Sequence, residues 1–283
     1  NRRTLAPERL EERALLSTVP VPSGLVAWWT ADDTAADLVT LQNATLAGAS
    51  FTAGKVGQAF DFDGIDDRAQ FADTDPLKLT GSMTIEGWIL VRAYPPTTTN
   101  SEVLFRGDDR GGLDPYSIGV GPGGAINFQV SSLTASTTVT STVPLGQFVH
   151  VAATLDDASG TMRLFLDGVL KSQTTTTVRP FRDLDPASNP SIGIGNHGGY
   201  PTSPHNFPFA GLIDDLSVYD RALSEQEIQG IFAAGGDGKL KTVTPPTTTV
   251  VNVSEVSQIE GNSGASSFVF TVTRTGNTSG TTS

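Results

Sequence analysis

The sequence predicts an all-β chain: an antiparallel β-sandwich or jelly roll with one short C-terminal helix, followed by a truncated second β module. Three observations carry that reading. From Gly24 to about Gly236, short alternating or fully apolar runs are separated by Gly, Asp, Pro and Thr clusters at intervals of about ten residues. Asp outnumbers Glu 21 to 9, and Asp makes turns and caps where Glu favours helix. A single segment near the end of this region carries a complete set of helix start and stop signals.

Taken in order, the clearest strands are residues 57–62, 83–91, 125–130, 148–155, 161–166 and 212–219. Each alternates apolar and polar residues, or is short and apolar throughout, as strands packed on one or both faces should be. Asp167-Gly168, between MRLFL and VLKS, supplies the two positive-φ residues that a two-residue hairpin needs. The helix begins at Ser224, whose hydroxyl and Glu227 form an S-x-x-E capping box. Leu223 and Ile228 stand where a hydrophobic staple closes, and Gly235-Gly236 supplies the stop.

Outside that region the chain changes character. Residues 1–19 carry mixed charge around Leu10, Leu15 and Leu16, a narrow apolar stripe with nothing in the segment to bury it. Residues 238–249 are rich in Thr and Pro and read as an extended linker. In residues 250–283, Phe268, Phe270 and Val272 alternate against Val269, Thr271 and Thr273, but one or two strands cannot bury a face. The expectation is the front of a longer protein, cut inside its second domain.

Composition narrows the function. A net charge of −12 argues against nucleic acid and anionic membranes, which both require Lys/Arg patches. No apolar run is long enough to insert into a bilayer. The absence of Cys removes disulfide scaffolds and thiolate metal sites. Hydrophobic residues make up 37% of the chain, enough for one core diluted by loose terminal segments.

Several strings in the middle region share their order and spacing with a known group: GLVAWWTADD at 24–33, GKVGQAFDFDGIDD at 54–67, MTIEGWILV at 83–91, FVHVAATLD at 148–156, LFLDG at 164–168, SIGIG at 191–195 and FAGLIDDLSVYDRALSEQEI at 209–228. On these motifs residues 20–237 resemble the LamG-like jelly rolls of the concanavalin A-like lectin/glucanase superfamily. The resemblance implies two antiparallel sheets face to face, one of them concave, a shape used for glycans, for proteins, or for no known ligand. LEERALLS, Leu10 to Ser17, resembles the LEPR-XLL segment of large secreted bacterial proteins, with Glu12 in place of its usual Pro. The Glu260-Gly261-Asn262-Ser263-Gly264 stretch with FVFTVTR resembles the opening of a Calx-beta domain.

Candidate sites follow. Glucanases of this superfamily carry paired carboxylates on alternate positions of one concave strand, about 5–5.5 Å apart when retaining. No E-x-D-x-E or E-x-D-x-x-E run is present, Glu86 is a lone strand carboxylate, and His150 reads as a core histidine, so no catalytic residue is expected. Calcium is the better chemical expectation. Related jelly rolls tie the N-terminal segment to the last long strand through Ca²⁺, which implies Asp214 as a carboxylate ligand with Asp32 (or Asp33), Asp63 and Gly64 giving side-chain or carbonyl oxygens. The competing reading makes Asp63 and Asp66 turn residues and leaves Asp214 and Asp215 bonding neighbouring strands. For ligand contact, the loop 195–211 concentrates His197, Tyr200, His205 and Phe207 among Gly and Pro, and 108–116 forms a second such loop. Trp28, Trp29 and Trp88 read as core. The expected function is a noncatalytic, secreted or cell-surface binding or adhesion module, monomeric within a longer chain, recognising carbohydrate or extracellular protein with Ca²⁺ assistance. The alternatives are a carbohydrate-targeting module for a downstream glycoside hydrolase and a structural spacer.

Overall fold

A computed structural model describes residues 18–96, 99–110, 114–198 and 206–241, together with the backbone of Val250–Val253 and Val272–Thr275. The LEPR-XLL-like motif and the Calx-beta-like motif, except for its last residues Val272, Thr273 and Arg274, lie outside the described residues. The chain divides into two units at Leu240/Lys241.

Among the described residues, the first unit has fifteen strands in chain order. They are β1 (Leu25–Trp29), β2 (Thr45–Ala47), β3 (Ser50–Ala53), β4 (Gln58–Asp63), β5 (Arg68–Ala72), β6 (Met83–Val91), β7 (Ser101–Gly107) and β8 (Tyr116–Val120). Then come β9 (Ala125–Ser131), β10 (Ser136–Thr142), β11 (Phe148–Asp156), β12 (Thr161–Leu166), β13 (Val169–Thr175), β14 (Ser191–Ile194) and β15 (Ala210–Tyr219). The helix α1 (Glu225–Ala234) follows. These strands make an eight-stranded sheet in the order β13-β12-β11-β6-β15-β4-β3, with β1 also paired to β15, and a seven-stranded sheet in the order β10-β9-β8-β7-β14-β5-β2. Every ladder is antiparallel, as the alternating pattern predicts.

The core lies between the two sheets. Ile85, Ile89 and Val91 of β6 and Val149, Val151 and Ala153 of β11 meet Leu104, Ile118, Ile126, Phe128 and Ile192 of the other sheet. Local signals were realised as read. Asp167 and Gly168 have φ of 50° and 72° and join β12 to β13. Ser224 and Glu227 form a reciprocal capping box, Leu223 and Ile228 are buried in one cluster, and α1 ends at Gly235 with φ 54°.

Strand β6 is buried along both faces, which alternation alone does not foresee. Its inward row joins the sandwich core. Its outward row, Thr84, Glu86 and Trp88, is covered by the last segment of the unit. There Leu223, Ile228 and Ile231 pack against Ala152, Phe165 and Tyr219, and Phe232 stacks on Trp88 at 5.8 Å between ring centroids. The cover extends to Leu240, because Val19 and Lys239 pair as a parallel bridge closed by Val19 N–H to Gly238 O (3.2 Å) and Leu240 N–H to Val19 O (2.8 Å). Lys239 and Leu240, which composition assigns to the linker, thus belong to this unit. Of the second unit, β16 (Val250–Val253) and β17 (Val272–Thr275) pair antiparallel.

Candidate functional site

The outward faces of the two sheets differ. On the eight-stranded sheet, Lys239 is fully buried and places Nζ 2.8 Å from Glu86 Oε1 and 3.0 Å from Asp215 Oδ2, above the Trp28 ring. His150 Nε2 lies 3.0 Å from Glu86 Oε2, and Tyr219 donates to Oε1. An ionised carboxylate only accepts, so the His150 proton sits on Nε2. Burial alone would raise Glu86, but the Lys239 ammonium and His150 hold it at about 2. Trp28 donates Nε1–H to Asp215 at 2.6 Å. Both Glu86 oxygens, both Asp215 oxygens and the Lys239 ammonium are paired, His150 Nδ1 is buried without a partner, and α1 covers the network, so its role is structural. His150 is the core histidine expected. All three tryptophans are buried, but only Trp29 joins the inter-sheet core; Trp28 and Trp88 lie beneath the outer cover.

A bulge in β15 explains the neighbouring acids. Asp214 pairs with Trp88 and Ser217 with Glu86, so two residues oppose Gly87, and Asp215 takes φ 54°. Strict alternation would send consecutive aspartates to opposite faces; the bulge lets both serve the outer one. Asp214 Oδ2 accepts from Lys55 and Val56 N–H at 2.6 and 2.8 Å, while its Oδ1 is buried without a partner. Burial, reinforced by the charges of Asp215 and Asp32 against those two donors, pushes Asp214 up to about 7. Asp32 Oδ1 accepts from Gln58 N–H at 3.0 Å.

The four oxygen donors named for calcium do not share one place. Asp63 pairs with Ala210, four positions along β15 from Asp214, which is about 13 Å at ~3.3 Å per residue. Asp63 and Gly64 belong instead to a turn in which Asp63 Oδ1 accepts from Ile65 N–H and Asp67 Oδ2 from Asp63 N–H. Asp63, Asp66 and Asp67 have ligating oxygens within 4.8 Å of one another. The charge of Asp32 does reach Asp214, whose orphaned Oδ1 suits a cation, so this pair fits calcium in part: two carboxylates of a shell that needs six to eight oxygens.

On the seven-stranded sheet the register builds an open cleft. Glu102 pairs with Gly119 and Gly119 with Asn127; on the next rung outward, Ser117 pairs with Gln129 and Gln129 with Thr138. With Asn100 these residues line a cleft of about 250 Å³. Gly119 keeps its floor low, since a Cβ there would stand 2.6 Å from the Ser101 carbonyl oxygen. Glu102 is 6% exposed, and its Oε2 has no hydrogen-bond partner. Burial, with the negative charge of Asp114, raises this carboxyl well above the usual range.

Of the loop 195–211, the described residue Phe207 bonds the backbone of Glu102 beside this cleft. Phe207 is half-buried, and its carbonyl accepts from Glu102 N–H at 2.9 Å. His197 is 1% exposed, edge-on to Phe105 at 4.6 Å with Nε2 2.7 Å from Ser191 Oγ. It therefore braces the loop from below. Asn196 Oδ1 accepts from His197 and Phe207 N–H and ties the two ends of the loop together. Tyr200 and His205 lie outside the described residues. In the second loop, Tyr116 is a core residue that donates to Leu77 O at 2.6 Å. Sequence reasoning passed over Glu102, Asn127 and Gln129, because polar positions on alternating strands look the same whether they meet bulk water or a cleft.

Two sheets in this order, with a capped helix closing one outer face, agree with the family profile that matches residues 63–229, described as the concanavalin A-like lectin/glucanases superfamily. The chain belongs to that superfamily. No curated protein matches the sequence. Among solved structures, similar folds include domain 4 of AbnA, a GH43 extracellular arabinanase from Geobacillus stearothermophilus, in complex with arabinotriose: 20% identity, TM-score 0.55, covering 72% of this chain and 96% of that one. The binding domain of Paraclostridial Mosquitocidal Protein 1 matches with 14% identity and TM-score 0.58, over 74% of this chain and 52% of that one. Trypanosoma rangeli sialidase in complex with sialic acid matches with 17% identity and TM-score 0.54, over 76% of this chain and 33% of that one. The chain thus spans about half and a third of those last two structures. Superfamily members of this architecture share a fold, and the site must decide function.

Proposed function

We propose that the chain is a noncatalytic binding module that recognises carbohydrate through the cleft on the outer face of its seven-stranded sheet. The observation that carries this is a polar cleft lined by amides and hydroxyls around a buried, unpartnered carboxyl. Such a group costs stability unless a ligand completes it, and a site kept at that cost points to binding. An arabinotriose complex among the similar structures, and the lectin/glucanase superfamily itself, support carbohydrate as the ligand class. Support for a noncatalytic role is the lining itself: Glu102 is the one carboxylate among the described lining residues, where glycosidases use a flanking pair. The LEPR-XLL-like and Calx-beta-like motifs support secretion or surface display in an adhesion or targeting role.

Two experiments test this. Glycan-array binding by the 283-residue chain should disappear in Ser117→Trp, which fills the cleft while the fold, followed by circular dichroism, is retained; undiminished binding would move the site elsewhere. Calcium assistance is assigned to Asp32 and Asp214. Millimolar Ca²⁺ should raise the melting temperature of the chain over that in chelator, and Asp214→Asn should abolish the difference.

A further inference from the structure

We propose that the Glu102 cleft takes a ligand bearing a protonated primary amine, namely an amino sugar with its nitrogen unacetylated, the ammonium seated against Glu102 and the ring hydroxyls on Asn100, Asn127, Gln129 and Thr138. This deepens the carbohydrate reading and rests on it.

Three observations point to a cation. Glu102 lines the cleft, and its Oε2 is buried without a partner. The charge acting on it is negative, that of Asp114, so a carboxylate here has nothing within the described residues to balance it. The whole chain carries −12, so the surrounding field favours a positive ligand group. On the opposite face the same residue type in the same kind of strand is balanced by Lys239, and an ammonium from a ligand would play that part at Glu102.

The other lining groups select a sugar over a lysine side chain. Asn127 and Gln129 are oriented by their own contacts to Ala125 O and Ser131 Oγ, and Thr138 Oγ1 donates to Gln129 Oε1. Their remaining donors and acceptors line the same cleft as the carboxyl, and an aliphatic stem would bury them unpaired. No aromatic ring lines the cleft among the described residues, so hydroxyl hydrogen bonds, rather than ring stacking, have to hold the sugar. At about 250 Å³ the cleft is smaller than the ~300–1,000 Å³ of pockets for drug-sized ligands, which suits one sugar unit.

Because burial favours the neutral carboxyl in the free protein, seating an ammonium must drive the Glu102 proton into solvent. Binding should therefore release protons, up to one for each ligand bound, and tighten as pH rises from about 4 to about 6, below the range in which the sugar amine itself loses its charge. A neutral glycan that accepts a hydrogen bond from protonated Glu102 behaves oppositely, releasing no proton and weakening with pH.

The test is calorimetric titration of the 283-residue chain with a β-1,4-linked glucosamine trisaccharide, its fully N-acetylated counterpart and a trilysine peptide. It is run in two buffers of different ionisation enthalpy and at about 0.15 M salt, where attraction beyond ~8 Å is screened. The expected result is proton release with the amine trisaccharide, binding at least tenfold weaker for the N-acetylated sugar and for trilysine, and at least tenfold loss in Glu102→Gln but not in Asp183→Asn, a substitution at an exposed acid elsewhere. Unchanged binding in Glu102→Gln, absence of proton release, equal affinity for trilysine, or no binding of the amine sugar by folded protein would each overturn the proposal. Tight binding of the N-acetylated sugar that survives Glu102→Gln and is lost in Ser117→Trp would overturn the amine assignment and leave the carbohydrate module standing. A failure of every glycan would remove both.

Discussion

Glu86 and Glu102 are the same side chain on outward rows of facing sheets, each at least 94% buried, and they meet opposite fates. Glu86 is held at about 2 by Lys239 and His150, under a helix that excludes water; Glu102 is raised well above its usual range beside Asp114, at the edge of a cleft. Burial penalises both charges, so the partner decides which form each takes. The contrast separates a face committed to stability from a face left available for a ligand.

Breaking the covered face should have the largest effect. Lys239→Met leaves Glu86 and Asp215 as buried carboxylates without their cation, and should cost about 3–5 kcal/mol in denaturant unfolding of the first unit. The pH dependence sharpens the same point. A depressed folded-state value means that the contribution of Glu86 is present above its ordinary unfolded value and lost as pH falls toward about 2; Glu86→Gln should flatten that acid limb.

Glu102 has the reverse sign. Its raised folded-state value means that stability is lost as pH climbs from the unfolded value through the folded one, so Glu102→Gln should be more stable than the parent by about 1–3 kcal/mol at pH 8, and the difference should vanish near pH 4. A destabilised Glu102→Gln would show that the carboxyl is already satisfied and erase the distinction between the two faces.

The smallest effect belongs to the cover itself. Ser224→Ala removes one half of the capping box that sets the start of α1 and should cost about 1 kcal/mol, read as a shift in the denaturation midpoint. Because α1 packs on the outer face of the eight-stranded sheet, ligand binding at the cleft on the other sheet should be unchanged.

Six of the fifteen described strands of the sandwich could be read along the chain because their signals are local. Strand 83–91 is observed with those bounds, and strand 148–155 runs one residue further. Helix α1 begins after Ser224 because an S-x-x-E box needs only four residues to form. The candidate site was less legible. The aromatic-rich loop drew notice by composition, yet His197 is a buried brace within it and the cleft beside it is lined by residues that carry no motif. The calcium set was assembled by resemblance, and strand register separates Asp63 from Asp214.

What the sequence determined by itself is the period-two alternation, and with it which residues of β6 point inward to a common apolar core, together with the hairpin and the helix caps; in β7 a bulge between Glu102 and Leu104 breaks the alternation. Only the tertiary structure decided what covers each outward row. Lys239 arrives 153 residues after Glu86 to neutralise it, whereas Glu102 receives a glycine and an amide across its ladder and the charge of a second acid, Asp114. The reason is physical: side-chain direction is a property of the local backbone, but the charge a buried carboxyl can hold depends on solvent and counter-charge within a few ångströms, and those neighbours are brought in by distant parts of the chain.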